Sequence, residues 1–445
     1  MHDLLITNAR VVNNHVITEQ DVLVSDKRIA QIDADLQHKP AKRVIDADGK
    51  FLIPGMIDDQ VHFREPGLTH KAEIATESRA AIAGGITSFM DMPNVSPPTL
   101  TVDMLRDKYG IAAKRARANY AFYMGTSNDN LEEIKRLPKD LACGIKVFMG
   151  ASTGNLLVDR DEALDGIFEF APVPVITHCE DTPMINENLR KFQREYGDDI
   201  PVEYHPVIRS EEACYKSSVK AVGLAKKHGT QLHVLHLSTA RELELFTKGE
   251  IQGKPITAEV CVHHLFFSAE DYATRGALIK CNPAIKTARD REGLLEAVME
   301  DRIDIIATDH APHLLEEKRG NYLESPAGLP LVQHALLSLM EHYHDGALSL
   351  EKIVEKTSHN VARRFSVAER GFIEEGYRAD LVLIDASRPC TVTDDSILYK
   401  CGWSPFSGYT FRSTIDTTIL NGQVVFEKGR VSEESFLGEA LAFDR

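Results

Sequence analysis

Short apolar runs alternate with amphipathic segments through the middle of the chain. Eight runs rich in β-branched and aromatic residues predict strands, and they are IDDQVHFR, ITSFMDMP, NYAFYMG, GIKVFM, PVITHCE, LHVLHLS, ITAEVCVHHLFF and DIIATDHAP. Segments with helical periodicity lie between many of them, such as EIATESRAAIAGG, LEEIKRL, DEALDGIFEF and EEACYKSSVKAVGLAKKHG. This alternation predicts an α/β fold of parallel strands with crossover helices, and eight repeats fit a (β/α)8 TIM barrel.

An open, doubly wound sheet is the alternative arrangement for such a pattern. That fold commonly binds dinucleotides through a GxGxxG turn after its first strand. No such turn follows the first predicted central strand. The pattern therefore favours the barrel.

Both ends of the chain have a different, all-β pattern. LLITNARVV, DVLVSDKRIAQI and RVIDADGKFLIPG occupy the start, and ADLVLIDA and STIDTTILNGQVVFEKGRV, with an Asn421-Gly422 hairpin signal, occupy the end. Neither block is large enough to bury a good core alone. We therefore predict that 1–52 and 369–445 form one small discontinuous β-sandwich domain, and that 53–368 form the barrel.

Composition narrows the class of protein. With 43% hydrophobic and 27% charged residues, the 445-residue chain resembles an ordinary globular protein. A net charge of −16 without a basic cluster argues against nucleic-acid binding. We expect no membrane association, because no apolar run approaches a bilayer span and no signal peptide is evident. Seven cysteines without a CxxC pair predict reduced thiols and a cytoplasmic location.

Polar residues stand at the carboxyl end of nearly every predicted central strand, where a barrel holds its active site. A single polar residue at a strand end is more often structural. Histidines scattered through a core would not recur at the same end of successive strands, so the recurrence indicates a functional site. The residues are His62 and Arg64, Asn94, Lys146, His178, His236, His263 and His264, and Asp309.

These side chains predict a metal-dependent hydrolase. His178, His236 and Asp309 form a typical catalytic zinc set, and His62 adds a third imidazole. The ammonium of Lys146 would be unfavourable beside a cation unless its charge were removed. Carboxylation by CO2 would achieve this, although Lys146 taken alone also fits a salt-bridged lysine. Zinc lowers the pKa of bound water to about 7. Asp309 could carry the proton to a leaving nitrogen, which indicates hydrolysis of an amide or related bond.

Seven motifs together resemble the amidohydrolase superfamily over essentially the whole chain, and within it the dihydroorotases. They are QVHFREPG (60–67), DMPNVSPPT (91–99), GIKVFMGASTGN (144–155), THCED (177–181), LHVLHLST (232–239), AEVCVHHL (258–265) and ATDHAPH (307–313). The resemblance implies a TIM barrel with a β-sandwich made from both chain ends. It also implies a homodimer. The implied activity is the reversible hydrolysis of a small-molecule substrate, L-dihydroorotate, to N-carbamoyl-L-aspartate in pyrimidine biosynthesis.

The resemblance also implies residue roles. It assigns the metal ligands to His62, an N6-carboxylated Lys146, His178, His236 and Asp309, and makes Asp309 the catalytic acid–base. It assigns substrate binding to Arg64, Asn94 and His313, which match residues that hold the substrate carboxylate, and to Asn282, Ala327 and Gly328.

Arg64 separates the close relatives. Allantoinases usually carry Asn at the matching position, and dihydropyrimidinases usually lack the HFREPG form. Arginine offers a planar bidentate fork for a carboxylate, which dihydroorotate carries and allantoin lacks. The alternative function is that of another cyclic amidohydrolase, an allantoinase or a dihydropyrimidinase (hydantoinase).

Gln60 departs from the family pattern, which has His here in an HxH motif. Residues 60 and 62 point the same way on a strand, and an amide oxygen is a poorer zinc ligand than imidazole. We expect one firmly bound Zn2+, with a second site weakened or empty, so the count is one or two. A further alternative is an inactive homologue that serves as a partner of a transcarbamoylase. The presence of Asp309 with Arg64, Asn94 and His313 favours an enzyme.

Overall fold

The computed structural model describes residues 1–150 and 156–445, so the end of the GIKVFMGASTGN motif, 151–155, lies outside the described residues. The first strands are β1 (His2–Asn13), β2 (Val16–Ser25), β3 (Arg28–Asp33), β4 (Ala41–Asp46) and β5 (Phe51–Pro54). The central strands are β6 (Met56–Val61), β7 (Ile86–Asp91), β8 (Asn119–Phe122), β9 (Met124–Gly125), β10 (Ile145–Phe148), β11 (Val175–His178), β12 (Leu232–Val234), β13 (Ile256–Cys261) and β14 (Ile305–Ala307). The last strands are β15 (Leu381–Asp385), β16 (Cys390–Thr391), β17 (Thr410–Phe411), β18 (Thr414–Leu420), β19 (Gln423–Glu427) and β20 (Arg430–Val431).

The α-helices lie mostly between the central strands. They are α1 (Ile74–Ala83), α2 (Val102–Arg115), α3 (Leu131–Lys135), α4 (Asp161–Phe170), α5 (Thr182–Tyr196), α6 (His205–Ile208), α7 (Glu211–His228), α8 (Val262–Phe266), α9 (Tyr272–Arg275), α10 (Ala288–Met299), α11 (Ala335–His344), α12 (Leu350–Val354) and α13 (Asn360–Phe365). Among these residues, no helix has the length and apolar character needed to cross a bilayer.

The central strands are parallel and pair in chain order. β6 pairs with β7 and β7 with β8, and the series continues from β9 to β14. After β14, His310 forms a parallel bridge with Val61 of β6, and the N–H of His62 donates to the carbonyl of His310 at 2.7 Å. The end of the series therefore meets its beginning. Each of the eight predicted runs contains a strand, and β8 and β9 share one run.

One predicted strand is shorter than expected. The run ITAEVCVHHLFF leaves the sheet at Cys261 and continues as helix α8. Val262 and Leu265, three residues apart, are both buried, as expected for one face of a helical turn. His263 and His264 therefore lie on a helix after the strand, and neither lines the cavity described below.

The crossover helices begin and end at recognisable signals. Helix α7 follows Ser210, whose hydroxyl accepts the N–H of Ala213 at 3.3 Å, and it ends at Gly229 with φ of 70°. Its buried face includes Cys214, Ala221 and Ala225. Small residues on this face let the helix pack closely on the parallel strands.

The terminal strands other than β16 and β17, which pair with each other, form one mixed sheet in the order β20-β19-β18-β15-β5-β1-β2-β3, with β4 also paired to β1. The sheet branches at β1. Its first half pairs with β4, its second half pairs with β5, and a bulge separates Ile6 from Ala9 in its register with β2. Side chains from both ends of the chain, such as Val22 and Ile419, share one hydrophobic cluster.

Candidate active site

A cavity of about 430 Å3 lies at the carboxyl ends of the central strands. All of the side chains and backbone positions that the sequence singled out for binding or catalysis line it: His62, Arg64, Asn94, Lys146, His178, His236, Asn282, Asp309, His313, Ala327 and Gly328. The remaining lining residues are Gln60, Leu68, Lys71, Phe148, Ala311 and Pro326. The structure thus brings the predicted site residues to one place.

Asp309 contacts two side chains, that of Gln60 in strand β6 and that of His62 directly after the strand. Its Oδ1 lies 3.0 Å from Nε2 of His62 and 3.0 Å from Nε2 of Gln60. The other amide atom of Gln60, Oε1, lies 3.6 Å from Sγ of Cys261. Gln60 therefore contacts Asp309 as a hydrogen-bond donor.

The hydrogen bonds of His62 indicate where a cation could bind. Its Nδ1 lies 2.6 Å from Oδ1 of Asn94, an acceptor, so Nδ1 carries the proton. In the neutral ring, Nε2 then directs a lone pair at Oδ1 of Asp309. Two acceptors at this distance repel each other unless a proton or a cation lies nearby. This donor set of imidazole and carboxylate fits zinc.

His178 and His236 form a second convergent pair. Glu180 is fully buried, which favours its neutral form, but Arg209 and His178 lower its pKa to about 2. The ionised Glu180 accepts the Nε2–H of His178 at 2.9 Å, so Nδ1 of His178 is free to face Nε2 of His236 at 2.9 Å. Burial lowers the pKa of both imidazoles, which keeps them neutral and able to ligate a metal.

Sequence reasoning did not assign a role to Glu180. It lies two residues after His178, within the quoted THCED motif, and this spacing was the available signal. Fixing the tautomer of a metal-ligating histidine through its second nitrogen is a common role for a carboxylate. Glu180 occupies that position for His178.

Lys146 is 1% exposed, and its Nζ lies 4.7 Å from the centre of the Phe148 ring. Burial lowers the pKa of its amine to about 8. Within the described residues no carboxylate forms an ion pair with it, and Asp309 and Glu259 act on it only through the longer-range field. A lysine in such surroundings has an appreciable neutral fraction near physiological pH.

Arg64 and His313 also line the cavity and contact each other. Arg64 is 7% exposed and donates from Nε to the carbonyl of Pro312 at 3.2 Å. Its Nη2 lies 3.2 Å from Nε2 of His313, and that Nε2 lies 3.1 Å from the carbonyl of Ala327. Burial lowers the pKa of Arg64 to about 10, so the guanidinium remains charged at neutral pH. No described carboxylate pairs with it in this structure.

Three of these residues hold a backbone conformation that side chains rarely adopt. φ is 64° at Arg64, 38° at His236 and 51° at Asp309. Such positions cost about 1–3 kcal/mol each and cluster at functional sites. Each follows the end of a central strand, and the left-handed turn directs the side chain into the cavity.

Gly328 forms part of the cavity wall, at a position where the backbone leaves no room for a side chain. Its φ is 143°, and a Cβ at this position would lie 2.3 Å from the carbonyl oxygen of Ala311. The buried ammonium of Lys318 donates to the carbonyl of Gly328 at 3.0 Å and to that of Pro326 at 2.8 Å. The backbone at Ala327 and Gly328 is therefore held rigidly against the site.

Two clusters outside the predicted set also gather potential metal ligands. In each, three ligand atoms lie within 4.8 Å of one another, and the clusters are Cys261, His263 and His264, and Asp59, His233 and Glu259. Sequence reasoning included His263 and His264 among the polar residues at the strand ends, and in the structure His264 Nε2 donates to the carbonyl of Pro283 at 3.0 Å. It did not single out Asp59, His233 or Glu259.

Comparison with known proteins identifies the class. A chain of parallel strands with this cluster of histidines and a carboxylate at their carboxyl ends has the architecture of a metal-dependent hydrolase. The model of the Amidohydrolase family matches residues 51–425. The chain therefore belongs to the amidohydrolase family.

Its relatives are hydrolases of cyclic amides. A dihydroorotase from Methanosarcina mazei is 31% identical over 99% of this chain and 98% of its own. An allantoinase from Rubrobacter xylanophilus is 34% identical over 92% of this chain and 91% of its own. The structure of an L-hydantoinase (dihydropyrimidinase) from Arthrobacter aurescens matches with a TM-score of 0.94 at 28% identity, covering 99% of this chain and 100% of that one. The chain thus has the fold of the hydantoinases and belongs among the cyclic amidohydrolases.

Proposed function

We propose that the protein is a zinc-dependent dihydroorotase that reversibly hydrolyses L-dihydroorotate to N-carbamoyl-L-aspartate. The observation that carries this proposal is the buried guanidinium of Arg64, which lines the cavity without a carboxylate partner among the described residues. A buried charge without a partner is costly. A substrate carboxylate would supply the missing partner, and dihydroorotate has one where allantoin has none.

Asn94 and Asn282 support the same assignment. Because Oδ1 of Asn94 accepts from His62, its Nδ2 amide group remains as a donor at the cavity. Oδ1 of Asn282 is buried, lines the cavity and has no hydrogen-bond partner in the described structure. It is suited to accept an N–H of the substrate ring.

We propose that zinc is held by His62, Lys146, His178, His236 and Asp309, and that Lys146 is N6-carboxylated. Bound zinc supplies Lewis-acid activation of the scissile carbonyl and of the attacking water. Nδ1 of His178 and Nε2 of His236 already converge to 2.9 Å, and the amine of Lys146 has a pKa low enough to react with CO2. We expect one firmly bound ion, because Gln60 offers an N–H toward Asp309.

Asp309 is the proposed acid–base group. Its Oδ1 accepts a hydrogen bond from Nε2 of Gln60, which orients the carboxylate. In the ring-opening direction, Asp309 accepts a proton from the attacking water and delivers it to the departing ring nitrogen. In the reverse direction the same carboxylate takes that proton back.

The decisive experiment compares substrates. Purified protein with added zinc is assayed with L-dihydroorotate, allantoin, dihydrouracil and hydantoin. The proposal requires dihydroorotate to give the highest kcat/KM. Preferred turnover of a neutral ring would instead identify an allantoinase or a hydantoinase. Relatives with these names are 34% and 28% identical to this chain.

Gln60 supports one further candidate, an inactive homologue that assembles with a transcarbamoylase. It would be recognised by the absence of turnover of all four rings by the zinc-loaded protein, together with co-purification of a transcarbamoylase. The preserved Asp309 and Arg64 at the cavity favour the enzyme.

We propose that 53–368 form a closed (β/α)8 barrel that carries the chemistry, and that 1–52 and 369–445 form the supporting β domain. The bridge between Val61 and His310 supports closure. We further propose a cytoplasmic homodimer, which sedimentation analysis of the purified protein would test.

A further inference from the structure

Lys71 lines the cavity near Arg64 and His313, and the proposed reaction assigns it no role. It lines the cavity, its side chain is 15% exposed, and it belongs to the segment between β6 and α1 that also carries Arg64. Its Nζ lies 3.0 Å from Nδ1 of His313 and 2.7 Å from Oε1 of Glu317.

The contact with Lys71 determines the tautomer of His313. An ammonium group only donates hydrogen bonds, so Nδ1 of His313 accepts and the ring proton resides on Nε2. That Nε2–H donates to the carbonyl of Ala327 at 3.1 Å, and Nη2 of Arg64, also a donor, lies 3.2 Å from the same nitrogen. His313 therefore lies between two cations that line the cavity, with Lys71 at one ring nitrogen and Arg64 at the other.

Glu317 is the competing partner of Lys71. Although burial favours its neutral form, the hydrogen bonds from Lys71 and from the backbone N–H of Leu314 lower its pKa. Its side chain is 31% exposed, so this ion pair is partly screened by solvent. A ligand carboxylate near Arg64 would meet the same ammonium in a more buried setting, where charge-assisted hydrogen bonds are stronger.

We infer that Lys71 is a specificity-determining residue that supplies a second cation for the carboxylate of the substrate, across the His313 ring from Arg64. This inference rests on the proposed function, because it concerns the same carboxylate. With two cations at one end, the cavity is selective for an acid-bearing ring over the same ring without the acid.

The test measures binding of a matched pair of ligands to the zinc-loaded protein by calorimetry. Orotate carries the carboxylate on a pyrimidine ring, and uracil is the same ring without it. We expect Lys71→Met to weaken orotate binding about 10-fold or more and to leave uracil binding unchanged. Lys71→Arg, which keeps the charge, should retain most of the orotate affinity. The surface variant Lys191→Met, at a side chain that is 60% exposed, controls for the loss of one positive charge.

A second variant separates substrate binding from a purely structural role. Glu317→Gln removes the competing carboxylate but leaves Lys71 in place. If Lys71 acts on the ligand, this variant binds orotate as tightly as the unmodified protein or more tightly. If the ion pair only braces the loop, Glu317→Gln loses as much affinity as Lys71→Met, which would overturn the inference.

The same measurements distinguish failure of the inference from failure of the proposed function. Turnover of dihydroorotate with orotate binding unaffected by Lys71→Met would leave the function standing and overturn the role of Lys71. Absence of dihydroorotate turnover, with orotate binding that depends on Lys71, would overturn the proposed function and leave the role of Lys71 in carboxylate binding standing. Absence of both turnover and orotate binding would overturn both.

Discussion

Nε2 of Gln60 donates to Oδ1 of Asp309 at 3.0 Å, while Oε1 of Gln60 lies 3.6 Å from the thiol of Cys261. Burial raises the pKa of Cys261 well above its ordinary value, so the thiol keeps its proton and can donate to the amide oxygen. The amide is thereby oriented with its NH2 group toward Asp309. An NH2 group has no lone pair available for a metal, so residue 60 acts on Asp309 as a hydrogen-bond donor.

Replacing Gln60 with His should raise the zinc content of the protein. An imidazole at this position would offer a ligand nitrogen where the amide offers a donor. We expect about one zinc per chain in the unmodified protein and a value approaching two in Gln60→His, measured by elemental analysis after dialysis against zinc-free buffer. Gln60→Ala, which adds no ligand, should remain near one. Equal zinc content in all three proteins would contradict this role for residue 60.

Replacing Arg64 with Met should weaken binding of dihydroorotate. A charge-assisted hydrogen bond contributes about 1.5–3 kcal/mol, which corresponds to an increase in KM of roughly 10- to 150-fold. Because this interaction is made in both the ground state and the transition state, kcat should change much less. Steady-state kinetics with dihydroorotate measures the effect.

Arg64→Lys is the matched control, since it keeps the charge but loses the planar fork. Its KM should lie between those of the unmodified protein and Arg64→Met. A KM for Arg64→Met equal to that of the unmodified protein would show that Arg64 does not hold the carboxylate.

The positions of the site residues were predictable because they depend on one regularity. His62, His178, His236 and Asp309 each follow or end a run of apolar strand residues, and parallel strands bring their carboxyl ends together. Strand-like patterning therefore placed them at one cavity without knowledge of any tertiary contact. The Asn421-Gly422 turn was predictable for a similarly local reason, since both residues adopt positive φ, of 48° and 78°.

What the sequence could not indicate depends on contacts between distant residues. Gln60 is 201 residues from Cys261 and 249 from Asp309, so the orientation of its amide follows only from the folded structure. The positive φ at His236 and Asp309 likewise reflects the surrounding packing, because positive φ is uncommon even for His and Asp. The branching of β1 between β4 and β5 was hidden because it depends on which strands elsewhere in the chain pair with each half of β1.

Recovery of activity by the metal-free protein should depend on CO2 and on pH. A neutral amine reacts with CO2 to form a carbamate and release a proton. Because burial lowers the pKa of Lys146 to about 8, its neutral fraction rises as pH increases through that value. At fixed dissolved CO2, reactivation by zinc should therefore be several-fold faster at pH 9 than at pH 7.

The control for this experiment is CO2-free buffer, in which zinc should restore little activity. Mass spectrometry under non-denaturing conditions should detect an added carboxyl group in the reactivated protein and none in Lys146→Gln. Full recovery without CO2 would rule out carboxylation of Lys146 as a requirement.

Replacing Asp309 with Asn should abolish most catalysis while leaving zinc in place. The amide cannot accept the proton from water, and loss of a general acid–base group typically lowers kcat by about 10²–10⁴-fold. His178 and His236 still direct their nitrogens to the site, so zinc content should be largely retained. Activity of Asp309→Asn above about a tenth of the unmodified value, with zinc bound, would refute its acid–base role.

A buried ion pair beneath the site should make a large contribution to stability. Nζ of Lys108, on α2, lies 2.6 Å from Oδ2 of Asp91 and donates to the carbonyl of Met92 at 2.8 Å, and both charged side chains are at most 1% exposed. Oδ1 of Asp91 accepts the N–H of Phe63 at 2.8 Å. Lys108→Met would leave Asp91 buried without its counter-ion, at a cost of about 3–5 kcal/mol.

Urea denaturation followed by circular dichroism measures this cost. The control is Arg106→Met on the same helix, which breaks an exposed pair with Asp103 and should cost less than about 1 kcal/mol. Because Asp91 also binds the backbone beside His62, Lys108→Met should lower zinc affinity as well as stability. Equal urea midpoints for the two variants would mean that the buried pair contributes no more than the exposed one.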